Sequence, residues 1–142
     1  MINTLKAIFL LTCICLNISC ARTMQANILP DSKLRPDATR IYVFRPSFVG
    51  IIVQADVYQN NIIVGKVGPK GYIVWDTKPG VITLQGGSDF IKLIAAADKT
   101  YYFKLVPKVS IKSRAFNLKP ITEDVGKKYL LNLNKPNVKV VY

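Results

Sequence analysis

The hydrophobic and polar positions divide the chain into three consecutive regions. A nearly continuous apolar run covers residues 7–18, and a polar stretch with little periodicity covers residues 21–38. From residue 39 onward, short runs of β-branched and aromatic residues alternate with Gly, Pro, Asn and Asp. This last pattern is typical of strands joined by turns, and it predicts an all-β domain over residues 39–142.

Seven segments of that domain carry a strand pattern. In one of them Tyr101, Phe103 and Leu105 fall on one face and Lys104 on the other, as expected of a half-buried strand. Such faces need a second layer, so the predicted fold is a single seven-stranded antiparallel β-sandwich. Its strands are expected at residues 40–45, 53–59, 62–67, 71–76, 81–85, 90–95 and 101–106.

Two short segments predict turns between these strands. Asn60-Asn61 favours a two-residue hairpin turn, because asparagine tolerates the positive φ that such a turn requires. Lys78-Pro79-Gly80 predicts a second reversal of the chain, since Pro79 fixes φ and Gly80 accepts a left-handed conformation.

The pattern changes to a helical one near the end of the chain. Thr122 is followed by Glu123 and Asp124, a capping residue and two negative charges that favour a helix N-terminus. Apolar residues then recur at four-residue intervals, namely Val125, Tyr129 and Leu133. One short C-terminal helix is therefore predicted, although Gly126 weakens it by up to about 1 kcal/mol relative to alanine.

Cys20 follows the first apolar run and resembles the lipidated cysteine of a bacterial lipoprotein signal. Lys6 precedes the run and Ser19 precedes the cysteine. The run is shorter than the roughly 20 apolar residues that a transmembrane helix needs. We interpret residues 1–19 as a lipoprotein signal peptide and residues 20–38 as a lipidated, flexible tether. An ordinary secretory signal remains the alternative, because Asn17 stands where a lipoprotein signal usually has leucine.

The charge is strongly positive, with 20 Lys and Arg against 8 Asp and Glu and a net charge of +12. A nucleic-acid partner would explain this surplus in a cytoplasmic protein, but an exported protein does not meet one. Anionic lipids, lipopolysaccharide and acidic envelope proteins are the expected partners instead. The candidate contacts are lysines of the last third of the chain, Lys127, Lys128, Lys135 and Lys139. A charged surface that only maintains solubility is the alternative.

Several segments resemble a family of small bacterial exported proteins, many of them lipoproteins. The matching segments are Arg40-Ile41-Tyr42-Val43-Phe44-Arg45-Pro46, Asp56-Val57-Tyr58, Val64-Gly65-Lys66, Gly71-Tyr72, Lys78-Pro79-Gly80-Val81-Ile82-Thr83-Leu84 and Lys99-Thr100-Tyr101-Tyr102-Phe103. The family's domain of unknown function is related to PEGA and transthyretin-like β-sandwiches. The resemblance implies a fold and a location in the envelope, and it implies no activity.

The residues offer little for catalysis. The chain has no histidine, and its three cysteines all lie at or before Cys20, so the mature part lacks the commonest general base and the usual transition-metal ligands. Its serines stand in no nucleophile motif. We therefore expect no enzyme, no metal and no cofactor.

Two functional hypotheses follow. The first is a non-enzymatic lipoprotein of the cell envelope, anchored in the membrane by its lipid and acting as a structural or accessory factor. Ala21 after the acylated cysteine favours an outer-membrane location facing the periplasm. The alternative is a carbohydrate- or peptidoglycan-binding module with an aromatic platform of Tyr58, Trp75 and Tyr102. Core or cross-strand packing of these rings is the favoured account.

Overall fold

The computed structural model describes residues 32–49, 53–108 and 115–133, which form two four-stranded sheets and one helix. The first sheet contains β1 (Thr39–Arg45), β4 (Gly71–Thr77), β7 (Lys99–Pro107) and β8 (Phe116–Ile121), in the order β4-β1-β7-β8. The second sheet contains β2 (Ala55–Gln59), β3 (Ile62–Val67), β5 (Gly80–Gly86) and β6 (Asp89–Ala95), in the order β3-β2-β5-β6. The helix α1 (Glu123–Asn132) follows β8.

The predicted all-β sandwich is confirmed in outline, but two of its details were wrong. The described chain has eight strands instead of seven, because Phe116–Ile121 is also a strand. Lys119 and Pro120 interrupt the alternation that Phe116 and Leu118 begin, which hid this strand in the sequence. The sheets are not purely antiparallel either, since β1 and β7 pair in parallel at the centre of the first sheet. That pairing joins segments far apart in the chain, which a local pattern does not encode.

The two predicted turns are present. Asn60 and Asn61 join β2 to β3 with φ values of 49° and 65°, the positive angles of a type I′ hairpin. The Asn60 N–H also donates to the Thr83 carbonyl at 2.8 Å, which ties the hairpin to β5. Gly80 begins β5 with a φ of 130°, which side chains rarely tolerate.

The main core lies between the sheets and follows from the alternation along each strand. In β2 and β5, Val57 and Leu84 are 0% exposed, whereas their neighbours Tyr58 and Gln85 remain partly exposed. The core also contains Ile41, Val43, Val64, Val67, Ile73, Trp75, Ile82, Phe103, Leu105, Phe116 and Leu118. Burial of each large apolar side chain contributes about 1.5–3 kcal/mol, so this layer is the main source of stability.

Arg45 extends from the end of β1 into the protein interior and is 0% exposed. Its guanidinium donates to the carbonyl oxygens of Val49 at 2.9 Å, Val67 at 3.2 Å and Val53. It also lies 4.5 Å from the ring centre of Phe116. Burial lowers the pKa of Arg45, because the charged form is separated from water. The side chain therefore fixes residues 49 and 53 against the end of β1.

A second apolar cluster covers the outer face of the first sheet. The Tyr42 ring stacks on Phe44 at 5.8 Å and on Tyr102 at 5.3 Å. Tyr72 joins the same group, and residues of α1 pack on top of it. This explains why β1 is buried along its whole length although it alternates between the two faces of the sheet.

The predicted C-terminal helix is confirmed, and Gly126 has a reason to be in it. Gly126 is buried, and a Cβ atom at this position would lie 2.4 Å from the Tyr102 ring. Glycine therefore allows the helix to approach the sheet closely, at the expense of helix propensity. The expected side-chain cap is not formed, since Thr122 accepts only through its carbonyl, from the Gly126 N–H at 3.0 Å.

Candidate functional site

One end of the sandwich contains a buried ion pair between β1 and β4. The Arg40 Nε donates to Asp76 Oδ1 at 2.7 Å, and Nη2 donates to Oδ2 at 3.0 Å. The two side chains are 5% and 11% exposed. The hydrogen bonds with Asp76 raise the pKa of Arg40. Arg40 also donates to the Ser32 carbonyl at 2.5 Å, so the pair holds the segment before β1 against the body of the domain.

A chain of neutral hydrogen bonds runs beside this ion pair. The indole Nε1 of Trp75 donates to Gln59 Oε1 at 2.7 Å, and Gln59 Nε2 donates to Thr77 Oγ1 at 2.7 Å. Trp75 is 1% exposed and Gln59 is 6% exposed. The buried amide therefore satisfies the indole, which joins β2 of the second sheet to β4 of the first.

A cleft of about 480 Å³ opens at this end of the sandwich. Its polar lining comes from Arg35, Gln59, Asn60, Asp76, Thr77 and Lys78. The Asp76 carboxylate already accepts two hydrogen bonds from Arg40, and the Gln59 amide is engaged by Trp75 and Thr77. The lining therefore offers amide, hydroxyl and cationic groups that can bind a polar ligand. Its carboxylate, Asp76, is paired with Arg40.

The outward face of α1 presents part of the predicted basic surface. Lys127 Nζ lies 2.8 Å from Glu123 Oε1, one helical turn away, and both side chains are more than half exposed. This contact lowers the pKa of Glu123 and raises the pKa of Lys127. Lys128 is also exposed. The positive charge of Lys127 is therefore partly balanced within the helix, whereas Lys135 and Lys139 lie outside the described residues.

The three aromatic residues proposed as a ligand platform lie on three different surfaces. Trp75 points into the core between the sheets, and Tyr102 lies on the outer face of the first sheet beneath α1. Tyr58 is on the outward side of β2 in the second sheet, opposite Gln85 and Ile63. The structure does not bring them together, because the alternation of β-strand side chains and the two-layer fold direct them apart.

The structure shows an apolar surface that sequence reasoning missed. On the outward side of β5 and β6, Val81, Phe90 and Ile94 are 59%, 71% and 82% exposed. Val81 and Ile94 are cross-strand partners, and Lys92 lies between Phe90 and Ile94 on the same strand. Residues 89–95 show the alternation of a strand, but apolar side chains occur on both of its faces. The sequence pattern therefore did not show which face would be buried and which exposed.

The described residues show neither a metal-binding cluster nor a membrane-spanning helix. No group of three or more Cys, Asp or Glu residues there could hold a metal ion. Within the same ranges, no helix has the length and hydropathy required to cross a bilayer. Cys20 lies outside the described residues.

Comparison with known proteins gives two distant similarities and no family assignment. The chain matches no protein-family model. It is 24% identical over 98 residues to an uncharacterized protein of Haemophilus influenzae, an alignment that covers 66% of this chain and 58% of that protein. The chain therefore spans less than two thirds of that relative's length. The N-terminal domain of AlgF from P. aeruginosa has a TM-score of 0.43 and 18% identity, and the match covers 63% of this chain and 100% of that domain.

Proposed function

We propose that the protein is a lipid-anchored, non-enzymatic accessory factor of the bacterial envelope, which binds its partner through the surface of a β-sandwich. The observation that carries the proposal is the arrangement of Lys6, the apolar run 7–18, Ser19 and Cys20. The described domain supports a binding role in two ways. Asp76, the carboxylate of the cleft, is committed to Arg40, and an apolar surface is exposed on β5 and β6.

The proposed location is the outer membrane, with the domain facing the periplasm. Ala21 follows the proposed lipidation site, and the proposed tether is residues 20–31, because Arg40 already holds Ser32 against the domain. A flexible chain of about twelve residues spans roughly 17–21 Å on average. The sandwich can therefore rest on the bilayer or reach a partner that projects from it.

Replacing Cys20 with serine tests the anchor directly. The Cys20→Ser variant should remain unprocessed or leave the membrane fraction, because the thiol that receives the diacylglycerol is absent. Cys15→Ser is the matched control, since Cys15 lies inside the signal and should not affect anchoring. Cell fractionation followed by immunoblotting measures both. Normal maturation and membrane retention of the Cys20 variant would contradict lipidation.

The proposed contact with anionic components is tested with the four lysines of the last third. Glutamine replacement of Lys127, Lys128, Lys135 and Lys139 together should weaken binding to vesicles containing anionic lipid, and the loss should shrink as salt is added. Replacing Lys127 alone should have less effect than replacing Lys128 alone, because Glu123 pairs with Lys127. If vesicle binding is unchanged, these lysines do not contact anionic lipid, and their positive charge only maintains solubility.

The alternative function, binding of carbohydrate or peptidoglycan, is favoured by one observation, the cleft at the end of the sandwich, whose mixed lining combines polar side chains with apolar ones such as Ile62 and Val81. This proposal moves the ligand from the dispersed aromatic residues to the cleft. Titration with soluble peptidoglycan fragments should then perturb Trp75 fluorescence, since its indole hydrogen bond lies beside the cleft. An Asn60→Ala variant should weaken that response, and the absence of any response would exclude this alternative.

A further inference from the structure

Four strands lie at the edges of the two sheets, and three of them are protected against pairing with another strand. Edge strands present unpaired backbone groups, which natural proteins shield with prolines, charges or bulges. In the first sheet, β8 carries Lys119 and Pro120, and β4 has its residues 71–75 buried on both faces. In the second sheet, the pairing of β3 with β2 contains a register shift beside Val57.

The fourth edge strand, β6, carries two charged residues, Asp89 at its first position and Lys92 at its centre, but no other device of this kind. It pairs with β5 along all of its 7 residues without a register shift, and it contains no proline or glycine. Alternate residues of an edge strand direct their N–H and C=O groups away from the sheet. Phe90 and Ile94 stand beside these groups and are 71% and 82% exposed. The Ile94 carbonyl accepts a long hydrogen bond from the Tyr101 hydroxyl at 3.5 Å, so an additional strand would gain its backbone hydrogen bonds chiefly beside Phe90 and Lys92, together with apolar contacts.

The charge of this surface indicates what the additional strand should carry. The outward side chains of β5 and β6 are Val81, Thr83, Gln85, Phe90, Lys92 and Ile94. Lys92 is the single charged member of this set, so a carboxylate on a neighbouring strand would complement it. A second copy of β6 is disfavoured, because antiparallel pairing centred on the strand would place Lys92 beside the same lysine of the other copy.

We propose that β6 is a docking edge for an extended segment of a partner protein. The segment carries Glu or Asp at the position facing Lys92 and apolar side chains two residues to either side, facing Phe90 and Ile94. Main-chain hydrogen bonds supply affinity and the alternate side chains supply specificity, as in other cases of strand addition. This inference deepens the proposed accessory function by naming the binding surface, but it does not require the lipid.

Synthetic peptides and a charge exchange test the proposal on the full chain. The probe is a fluorescent, end-blocked peptide of sequence Thr-Val-Thr-Glu-Thr-Val-Thr, and its counterpart has lysine in place of glutamate. By fluorescence anisotropy, the glutamate peptide should bind the wild-type chain. Lys92→Glu should weaken that binding by about three- to tenfold and should favour the lysine peptide by a similar factor. Lys119→Glu is the matched control, an exposed lysine on the protected edge β8.

A peptide with N-methyl groups at alternate backbone nitrogens separates strand addition from simple charge attraction. It should not bind, because it cannot donate to the β6 backbone. Three results would overturn the proposal: no binding of the glutamate peptide, equal binding by the N-methylated peptide, or a preference that Lys92→Glu leaves unchanged. If the wild-type chain dimerises with increasing concentration and Lys92→Glu does not, the occupant of β6 is a second copy of the chain. If the wild-type chain binds vesicles and Phe90→Ser does not, the occupant is a membrane. Failure of lipidation at Cys20 would leave these peptide results unchanged, so the two proposals fail separately.

Discussion

The contact between Gly126 and Tyr102 gives the sharpest test of how α1 is held. An alanine Cβ at position 126 would lie 2.4 Å from Cδ1 and 2.7 Å from Cγ of the tyrosine ring. Non-bonded carbon atoms rest about 3.5–4.0 Å apart, so the helix or the ring would have to move by about 1 Å. The ring has little room, because it stacks on Tyr42 at 5.3 Å and lies 6.5 Å from Phe44.

The magnitude follows from two opposing effects. Overpacking a close contact costs about 1–3 kcal/mol, and the fixed ring places this site in the upper half of that range. Alanine improves helix propensity over glycine by about 1 kcal/mol, which offsets part of the cost. Gly126→Ala should therefore lower the free energy of unfolding by about 1–2 kcal/mol.

Urea denaturation followed by far-ultraviolet circular dichroism measures this effect and its cause. In a Tyr102→Ala background the clash is absent, so the same Gly126→Ala substitution should stabilise the protein by up to about 1 kcal/mol. Lys128→Ala, on the exposed side of α1, should change stability by less than about 0.5 kcal/mol in either background. If Gly126→Ala stabilises the wild-type protein as well, the helix does not approach Tyr102 as described.

Two further predictions concern the ion pair and the buried tyrosine. Asp76→Asn should destabilise the domain by about 3 kcal/mol in the same denaturation assay, because it leaves the buried Arg40 guanidinium without its counterion. An Arg40→Met/Asp76→Leu double variant should recover much of that loss. Equal losses of stability in the two variants would contradict this prediction. Burial, and secondarily Glu123, raises the pKa of Tyr102, so the folded state holds the phenolic proton more tightly than the unfolded state does. The free energy of unfolding should therefore fall as the pH rises from about 10 through the higher pKa of the folded state. Tyr102→Phe should lessen this fall. Identical alkaline unfolding curves for wild type and Tyr102→Phe would refute that assignment.

Local patterns predicted most elements of the fold. The alternation of Ile82 and Leu84 with polar neighbours identified a half-buried strand, and both residues are indeed 2% exposed or less. The Asn60-Asn61 turn followed from the conformational tolerance of asparagine alone. These features depend on residues next to one another, which is why the sequence reveals them.

The features that were missed depend on contacts between distant segments. Nothing local indicates that β1 pairs in parallel with β7, or that Lys119 and Pro120 belong to an edge strand. From the sequence, Gly126 only weakens the predicted helix, because its contact with Tyr102 exists only in the folded state. The aromatic platform was the less favoured interpretation of Tyr58, Trp75 and Tyr102, and Trp75 donates to Gln59 inside the core, as the favoured packing interpretation expects.

The lipid anchor at Cys20 is the central claim of this account. Mass spectrometry of the amino-terminal peptide of the protein, purified from bacterial membranes, tests it most directly. If Cys20 is lipidated, this peptide begins at Cys20 and carries the added mass of a diacylglycerol group. A peptide that begins at another residue, or an unmodified Cys20, would contradict the claim.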